Sequence, residues 1–351
     1  MTIQNLKHEG PCAASVLTLG EIMCRLSTGN GVRLADATSF EACYGGAEAN
    51  VAISLANFGH QAAFATKVPE GPLGDAVVKH LRSCGVSTVH VLRGGPRLGT
   101  YYLEMGTGNR GSRAVYDRAG SSFATMDAGE WDADALFDGV GLFHVTGICP
   151  ALSPAWREAT PRLAAEAIRR DIPVSYDVNF RGKLWTWDEC MDAFRDVLPS
   201  VSVLAASWGD VESALGLERT AWSEKTMAQA YDALVAAHPN VRVVYCTRRV
   251  AHSSSSNDLT GYLYLANGTG QPGTLFSSGT YHVEPIVDRV GGGDAYAAGV
   301  LHGVLAGMEP QQTVEFAAAA SVLKHTVWGD ANRFGAAEVA EFLTSGADVK
   351  R

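Results

Sequence analysis

Three consecutive glycines lead into an aspartate and then an apolar helical pattern in the run Val287-Asp288-Arg289-Val290-Gly291-Gly292-Gly293-Asp294-Ala295-Tyr296-Ala297-Ala298-Gly299. Glycine lets the backbone approach a ligand closely. The free N–H groups and positive dipole end of the following helix attract phosphate. Asp294 falls in the first turn of that helix, where a carboxylate can take a proton from a hydroxyl about to attack phosphorus. An anion cradle with a base beside it suggests phosphoryl transfer. The same letters also fit a tight loop in which Asp294 merely caps the helix Ala295 to Ala306.

A second segment, Tyr44-Gly45-Gly46-Ala47-Glu48-Ala49-Asn50-Val51-Ala52 followed by Leu55, Ala56 and Gly59, puts a glycine pair at the mouth of a helix and an amide one turn in. Val51, Leu55 and Phe58 fall on one core-facing stripe. A plain amphipathic helix explains the stripe but not the clustering of two glycines with Asn50. Two other glycine motifs fail on context. Gly106-Thr107-Gly108-Asn109-Arg110-Gly111 matches the dinucleotide fingerprint letter for letter, yet a strand pattern follows it where a helix is needed. Gly182-Lys183 lacks the upstream glycine and the following Ser/Thr of a Walker A loop.

These groups need a scaffold. Short β-rich apolar runs at Val16 to Leu19, Ala62 to Lys67, Gly141 to Val145, Pro173 to Asp177, Val201 to Ala205 and Arg242 to Cys246 alternate with helical patterns. The helices are expected at Ala47 to Phe58, Leu73 to Ser83, Ser153 to Arg170, Ser223 to His238, Ala295 to Leu305, Thr313 to Lys324 and Ala336 to Leu343. That rhythm predicts an α/β fold with a mostly parallel, doubly wound sheet. Gly99 to Met105 and Ser112 to Arg118 alternate around the glycine-rich turn and predict a hairpin outside the main sheet. At 351 residues, 46% hydrophobic, the chain can bury a large core. A net charge of -9 argues against nucleic acid or an anionic membrane surface as partner. Positive potential must then be concentrated locally, in glycine loops, arginines and bound metal. No apolar run reaches the ~18 residues of a membrane span, and the first 15 residues are polar, so neither an anchor nor a signal peptide is expected. Seven scattered cysteines without Cys-x-x-Cys spacing fit reduced core thiols in the cytoplasm.

The two glycine segments resemble, in order, the N-terminal and C-terminal signatures of the ribokinase or PfkB-type sugar kinases. The second is usually Asp-Thr-x-Gly-Ala-Gly-Asp, with Arg289 and Gly292 standing here for Thr and Ala. The resemblance implies a ribokinase-like fold over 1–351 as one kinase domain, with lid strands inserted at about 21–45 and 98–120 forming a small β-sheet over the sugar site. It implies Asp294 as the base and Gly291, Gly292 and Gly293 as the anion hole. Gly45, Gly46 and Asn50 would bind sugar hydroxyls. It places ATP along the glycines, near Asn179 and Arg181, and beside Thr247 and Arg248 after the strand Arg242 to Cys246. Ser207-Trp208-Gly209-Asp210 stands where many relatives carry Asn-x-x-Glu, and Asp210 would serve a hydrated Mg2+ through water. A monovalent cation is a further implied cofactor.

Tyr116 to Ser121, Asp177 to Trp185 and Lys324-His325-Thr326-x-x-Gly329-Asp330-x-Asn332 resemble the 2-keto-3-deoxygluconate kinase branch. By position, Tyr101, Tyr116, Arg118 and Arg181 would surround a sugar acid and Asp330 would accept from a hydroxyl. Guanidinium groups suit a carboxylate, although an arginine beside an edge strand is commonly a solvated one. Asp288 is expected to hold the loop or a metal's water shell, and His302 and His325 to be packing or surface residues. The expected partners are ATP and the small-molecule sugar acid, with a homo-oligomer formed through the lid. A kinase of a neutral sugar such as fructose or ribose, and a sugar-binding relative without turnover, are the competing readings.

Overall fold

The computed structural model describes residues 15–268 and 270–345. The polar first 14 residues, expected to carry no leader, lie outside them. The strands are β1 (Ser15–Leu19), β2 (Met23–Ser27), β3 (Glu41–Gly45), β4 (Gln61–Val68), β5 (Val91–Arg93), β6 (Thr100–Glu104), β7 (Arg113–Asp117), β8 (Leu142–Thr146), β9 (Val174–Asp177), β10 (Val203–Ala205), β11 (Val243–Ser253), β12 (Ser256–Leu265), β13 (Thr274–Ser277) and β14 (Tyr281–Val283). The helices are α1 (Ala47–Asn57), α2 (Pro72–Ser83), α3 (Ala133–Phe137), α4 (Ile148–Leu152), α5 (Pro154–Arg169), α6 (Trp187–Val197), α7 (Trp208–Leu215), α8 (Glu224–Ala237), α9 (Gly292–Ala306), α10 (Pro310–Lys324) and α11 (Ala336–Ser345).

Ten strands form one sheet in the order β13-β12-β11-β10-β9-β8-β1-β4-β5, with β14 added on β12. The pairs from β11 to β5 are parallel, and those made by β12 are antiparallel. The sheet is buried on both faces. Trp156, Phe194 and Tyr231 from α5, α6 and α8 cover one face. Leu55, Leu301 and Phe316 from α1, α9 and α10 cover the other. Two-sided burial is why the parallel strands read as short unbroken apolar runs. From β1 the chain winds one way to β4 and β5, and from β8 the other way to β11. The crevice outside the carboxyl ends of β1, β8 and β9 is therefore a topological switch point, where such sheets bind ligands.

One expectation is corrected. The strand predicted to stop at Cys246 runs on to Ser253 and pairs with β12, Thr247 opposite Gly261 and Arg248 opposite Thr260. Thr247 and Arg248 thus sit within a strand pair, not in a loop after a parallel strand. The extended segment carries arginines and no breaker, so its polar outer half hides a strand that lies beyond the covered part of the sheet.

α9 and α10 pack closely because α9 offers glycine where α10 offers alanine. A Cβ on Gly299 would lie 2.5 Å from Ala317 Cα, and one on Gly303 2.5 Å from Thr313. Gly299→Val is expected to destabilise the fold by about 1–3 kcal/mol through overpacking. A lowered denaturant midpoint at unchanged slope would show it.

A second sheet, β3-β2-β6-β7, contains the predicted hairpin β6–β7. Its inward face presents Tyr101, paired across the ladder with Tyr116 and with Arg25. The two tyrosine rings stack with centroids 5.5 Å apart.

Candidate active site

Asp294 is the third residue of α9, whose N-cap is Gly291 at φ 81°. Only a residue tolerant of that left-handed conformation fits, and a Cβ there would lie 1.7 Å from the Asp330 carbonyl oxygen. Asn50, on α1, donates from Nδ2 to Asp294 Oδ2 at 2.7 Å. Its own Oδ1 is buried without a hydrogen-bond partner among the described residues, an acceptor open to a donor from a ligand in the cavity that Asn50 borders. Burial pushes the Asp294 carboxyl up to about 6, against the pull of Asn50 and Arg181. That range suits a base working near neutrality.

Two cavities meet at this helix end. The larger, about 400 Å³, is bordered by Gly45, Gly46, Asn50, Tyr101, Tyr116, Arg118, Arg181, Gly291, Asp294 and Asp330. The smaller, about 200 Å³, is bordered by Ser207, Asp210 and Thr247. Asp177, Asn179 and Gly293 line both. Gly292 and Arg248 line neither. Gly292 is buried, a Cβ there meeting His325 at 2.5 Å, and Arg248 stacks 3.9 Å from the Trp222 ring centre.

The arginines differ from one another. Arg118 reaches the larger cavity, but its Nε donates to Glu21 Oε2 at 2.7 Å and its Nη2 pairs with the same carboxylate. The paired free charges expected from Arg118 and Arg181 are thus reduced to one. Among the described residues, Arg181 makes no side-chain hydrogen bond or ion pair, and its field opposes the burial-driven rise of the Asp177 and Asp294 carboxyls. Asp330 borders the cavity with its carboxylate already engaged, Oδ1 by Arg25 Nη1 at 2.7 Å and Oδ2 by the Tyr101 hydroxyl at 2.6 Å.

Asp177 ends β9, and its Oδ1 accepts from the Asn179 backbone N–H at 2.9 Å. Burial first, then repulsion from Asp294, pushes its carboxyl up to about 7. Asp210 is raised by burial too. Its Oδ2 accepts from Ser207 N and Oγ, both at 2.7 Å, in the capping box of α7. Burial raises both acids despite the nearby Arg181 and Arg219, and two such carboxyls at a small cavity suit a divalent ion with its waters. Asp288 ties its own loop, accepting from Val290 N–H and Gly329 N–H at 3.1 Å each. His302 packs against Phe58 and Phe316, and His325 pairs through Nδ1 with the Ser321 carbonyl. Another cluster, His252, Asp258 and His282, borders neither cavity. Each Asp258 oxygen pairs with one imidazole at 2.8 Å and His282 Nε2 lies 3.2 Å from Glu284, so these groups are engaged with one another.

The sequence reading singled out neither Asp177 nor Arg25 nor Glu21 as a site residue. Asp177 had a signal, an acid at the carboxyl end of a parallel strand. Arg25 and Glu21 had none, because their partners lie 305 and 97 residues away.

A glycine-rich helix end, a buried carboxyl raised toward neutrality and two joined cavities thus meet at the switch point, an arrangement suited to phosphoryl transfer. Residues 13–333 match the family described as pfkB family carbohydrate kinase, and the chain belongs to this family of ATP-dependent sugar kinases. A 2-dehydro-3-deoxygalactonokinase of Haloferax volcanii is 33% identical over 333 residues, 95% of this chain and 98% of that protein. A 2-dehydro-3-deoxygluconokinase of Bacillus subtilis is 28% identical, with 94% and 95% covered. The solved structure of a 2-dehydro-3-deoxygluconokinase from Thermotoga maritima aligns with TM-score 0.89 at 37% identity, with 95% and 100% covered.

Proposed function

We propose that the protein transfers the γ-phosphoryl group of ATP to the terminal O6 hydroxyl of 2-keto-3-deoxygluconate, giving 2-keto-3-deoxy-6-phosphogluconate and ADP. The observation that carries this reading is Arg181, a guanidinium on the wall of the cavity that holds Asp294, with no side-chain hydrogen bond or ion pair among the described residues. The names of the three relatives above, one a kinase of the 2-dehydro-3-deoxygalactonate epimer and two of the gluconate epimer, support the sugar-acid class. In this mechanism Asp294 takes the O6 proton as O6 bonds to phosphorus and the bond to the ADP oxygen breaks. The backbone N–H groups at Gly291 and Gly293, which border the cavity, meet the charge on the transferring group. Mg2+ supplies charge neutralisation on the phosphates when bound, and Asp177 and Asp210 are the residues that would hold it or its waters. Asn50 orients the base and offers its open Oδ1 to a sugar hydroxyl.

A panel of both 2-keto-3-deoxy epimers, fructose and ribose tests the substrate. A charge-assisted contact is worth about 1.5–3 kcal/mol, so Arg181→Leu should lower kcat/KM for the acid by ~10- to 100-fold and by clearly less for neutral sugars, which lose only its influence on Asp294. Wild-type enzyme that prefers fructose or ribose, or forms no ADP with any sugar, refutes the proposal.

We also propose a dimer through the lid. Leu26, Tyr102 and Val115 are register partners on the outward face of the second sheet. Val115 is 41% exposed and Phe40, which packs on Tyr102, 39%. Covering such a face with a second copy is the common solution. Sedimentation should show a dimer that Val115→Asp converts to monomer; a wild-type monomer at micromolar concentration would refute it.

A further inference from the structure

Beneath the anion loop lies a buried cation with no substrate to bind. Lys324, the last residue of α10, is 0% exposed. Its Nζ donates to the Asp288 carbonyl at 3.2 Å and to the Val327 carbonyl at 3.4 Å. Arg25, also 0% exposed, is paired at 2.7 Å with both Asp288 and Asp330. Arg25 thus binds the two carboxylates, while Lys324 binds backbone carbonyls of the two segments 288–291 and 327–330 that meet there. The junction matters to the chemistry. Gly291, the N-cap of α9, rests on the Asp330 carbonyl, and a Cβ on it would lie 3.4 Å from Lys324 Cε.

A bound monovalent cation of the kind implied by the resemblance needs a dehydrated seat of carbonyl and carboxylate oxygens. The oxygens that converge beside the loop are those of Asp288, Val327 and Asp330, and protein cations already occupy them. The residues present do not fit an exchangeable ion there.

We propose that the Lys324 ammonium is a built-in monovalent cation that holds the anion loop in its phosphate-binding shape, so that turnover is independent of added potassium. Lys324 is a positioning residue, because it acts through the Asp288 backbone and not on substrate. The inference rests on the kinase reading above.

The test has two arms. Wild-type enzyme, dialysed into tetramethylammonium salts with Mg-ATP and the sugar acid, should turn over within about twofold of its rate in potassium. Stimulation by potassium of tenfold or more would overturn the proposal. Absence of turnover under every salt would instead overturn the kinase reading. In the second arm, Lys324→Met keeps the length of the stem and removes the charge. Its kcat should fall by about 10- to 100-fold with the KM of the sugar acid little changed, since the loss is confined to the anion loop. Potassium or ammonium, and not tetramethylammonium, should restore part of kcat and raise the melting temperature of the variant alone. A folded Lys324→Met enzyme with wild-type kcat, or one that no small cation rescues, refutes the proposal. If the variant fails to fold, the wild-type arm decides.

Discussion

Asp294→Asn is expected to leave the fold intact and to lower kcat by at least the ~10²-fold of a lost general base. Asparagine is nearly isosteric, so ATP affinity measured by titration should change little. The same carboxyl sets the acid limb of the pH profile. With its ionisation near 6 in the fold, kcat/KM should fall as pH drops through that value. Stability moves the other way. A carboxyl raised above its unfolded value favours the fold while protonated, and that benefit is lost as pH rises through the folded value. The asparagine variant should therefore be more stable than wild type at pH 7.5, by on the order of 1–2 kcal/mol. The two should converge below about pH 4. A kcat within a few-fold of wild type, or a variant less stable at neutral pH, would remove Asp294 from this role.

The second large effect is expected at Gly291. Its φ of 81° and the 1.7 Å approach of a hypothetical Cβ to the Asp330 carbonyl oxygen mean that even alanine must displace the loop. Moving one anion-hole donor out of line costs ~10²–10³-fold in kcat, so Gly291→Ala should lose at least ~10²-fold. The lid contacts of the sugar acid are elsewhere, so its KM should be less affected than kcat. Gly293→Ala is the contrasting variant, because no atom lies within 4 Å of a Cβ there. Equal kcat for Gly291→Ala and wild type would show that the loop has room the geometry denies.

The parallel core was legible in the sequence, and so were α1 and α9 with their glycines, Asn50 and Asp294. In those segments the local signal and the global fold demand the same residues. The antiparallel extension of β11 was not legible, because Thr247 to Ser253 are exposed or only partly buried and carry no apolar alternation to mark a strand. The electrostatics of the lid were not legible either. A guanidinium in the sequence carries no mark of its partner. Arg118 reads the same whether it faces a substrate carboxylate or Glu21, and Arg25 resembles any polar residue of a short strand until Asp288 and Asp330 close on it.

The common wall of Asp177, Asn179 and Gly293 has a thermodynamic consequence. On the proposed assignment of nucleotide to one cavity and sugar acid to the other, each ligand would alter the charge and position of groups that the other also touches, and the two binding equilibria are expected to be coupled. Such coupling is reciprocal: if sugar acid tightens nucleotide, nucleotide tightens sugar acid by the same factor. Each ligand's apparent dissociation constant would then shift with the other's concentration, between its value for the free enzyme and its value for the enzyme already holding the partner ligand.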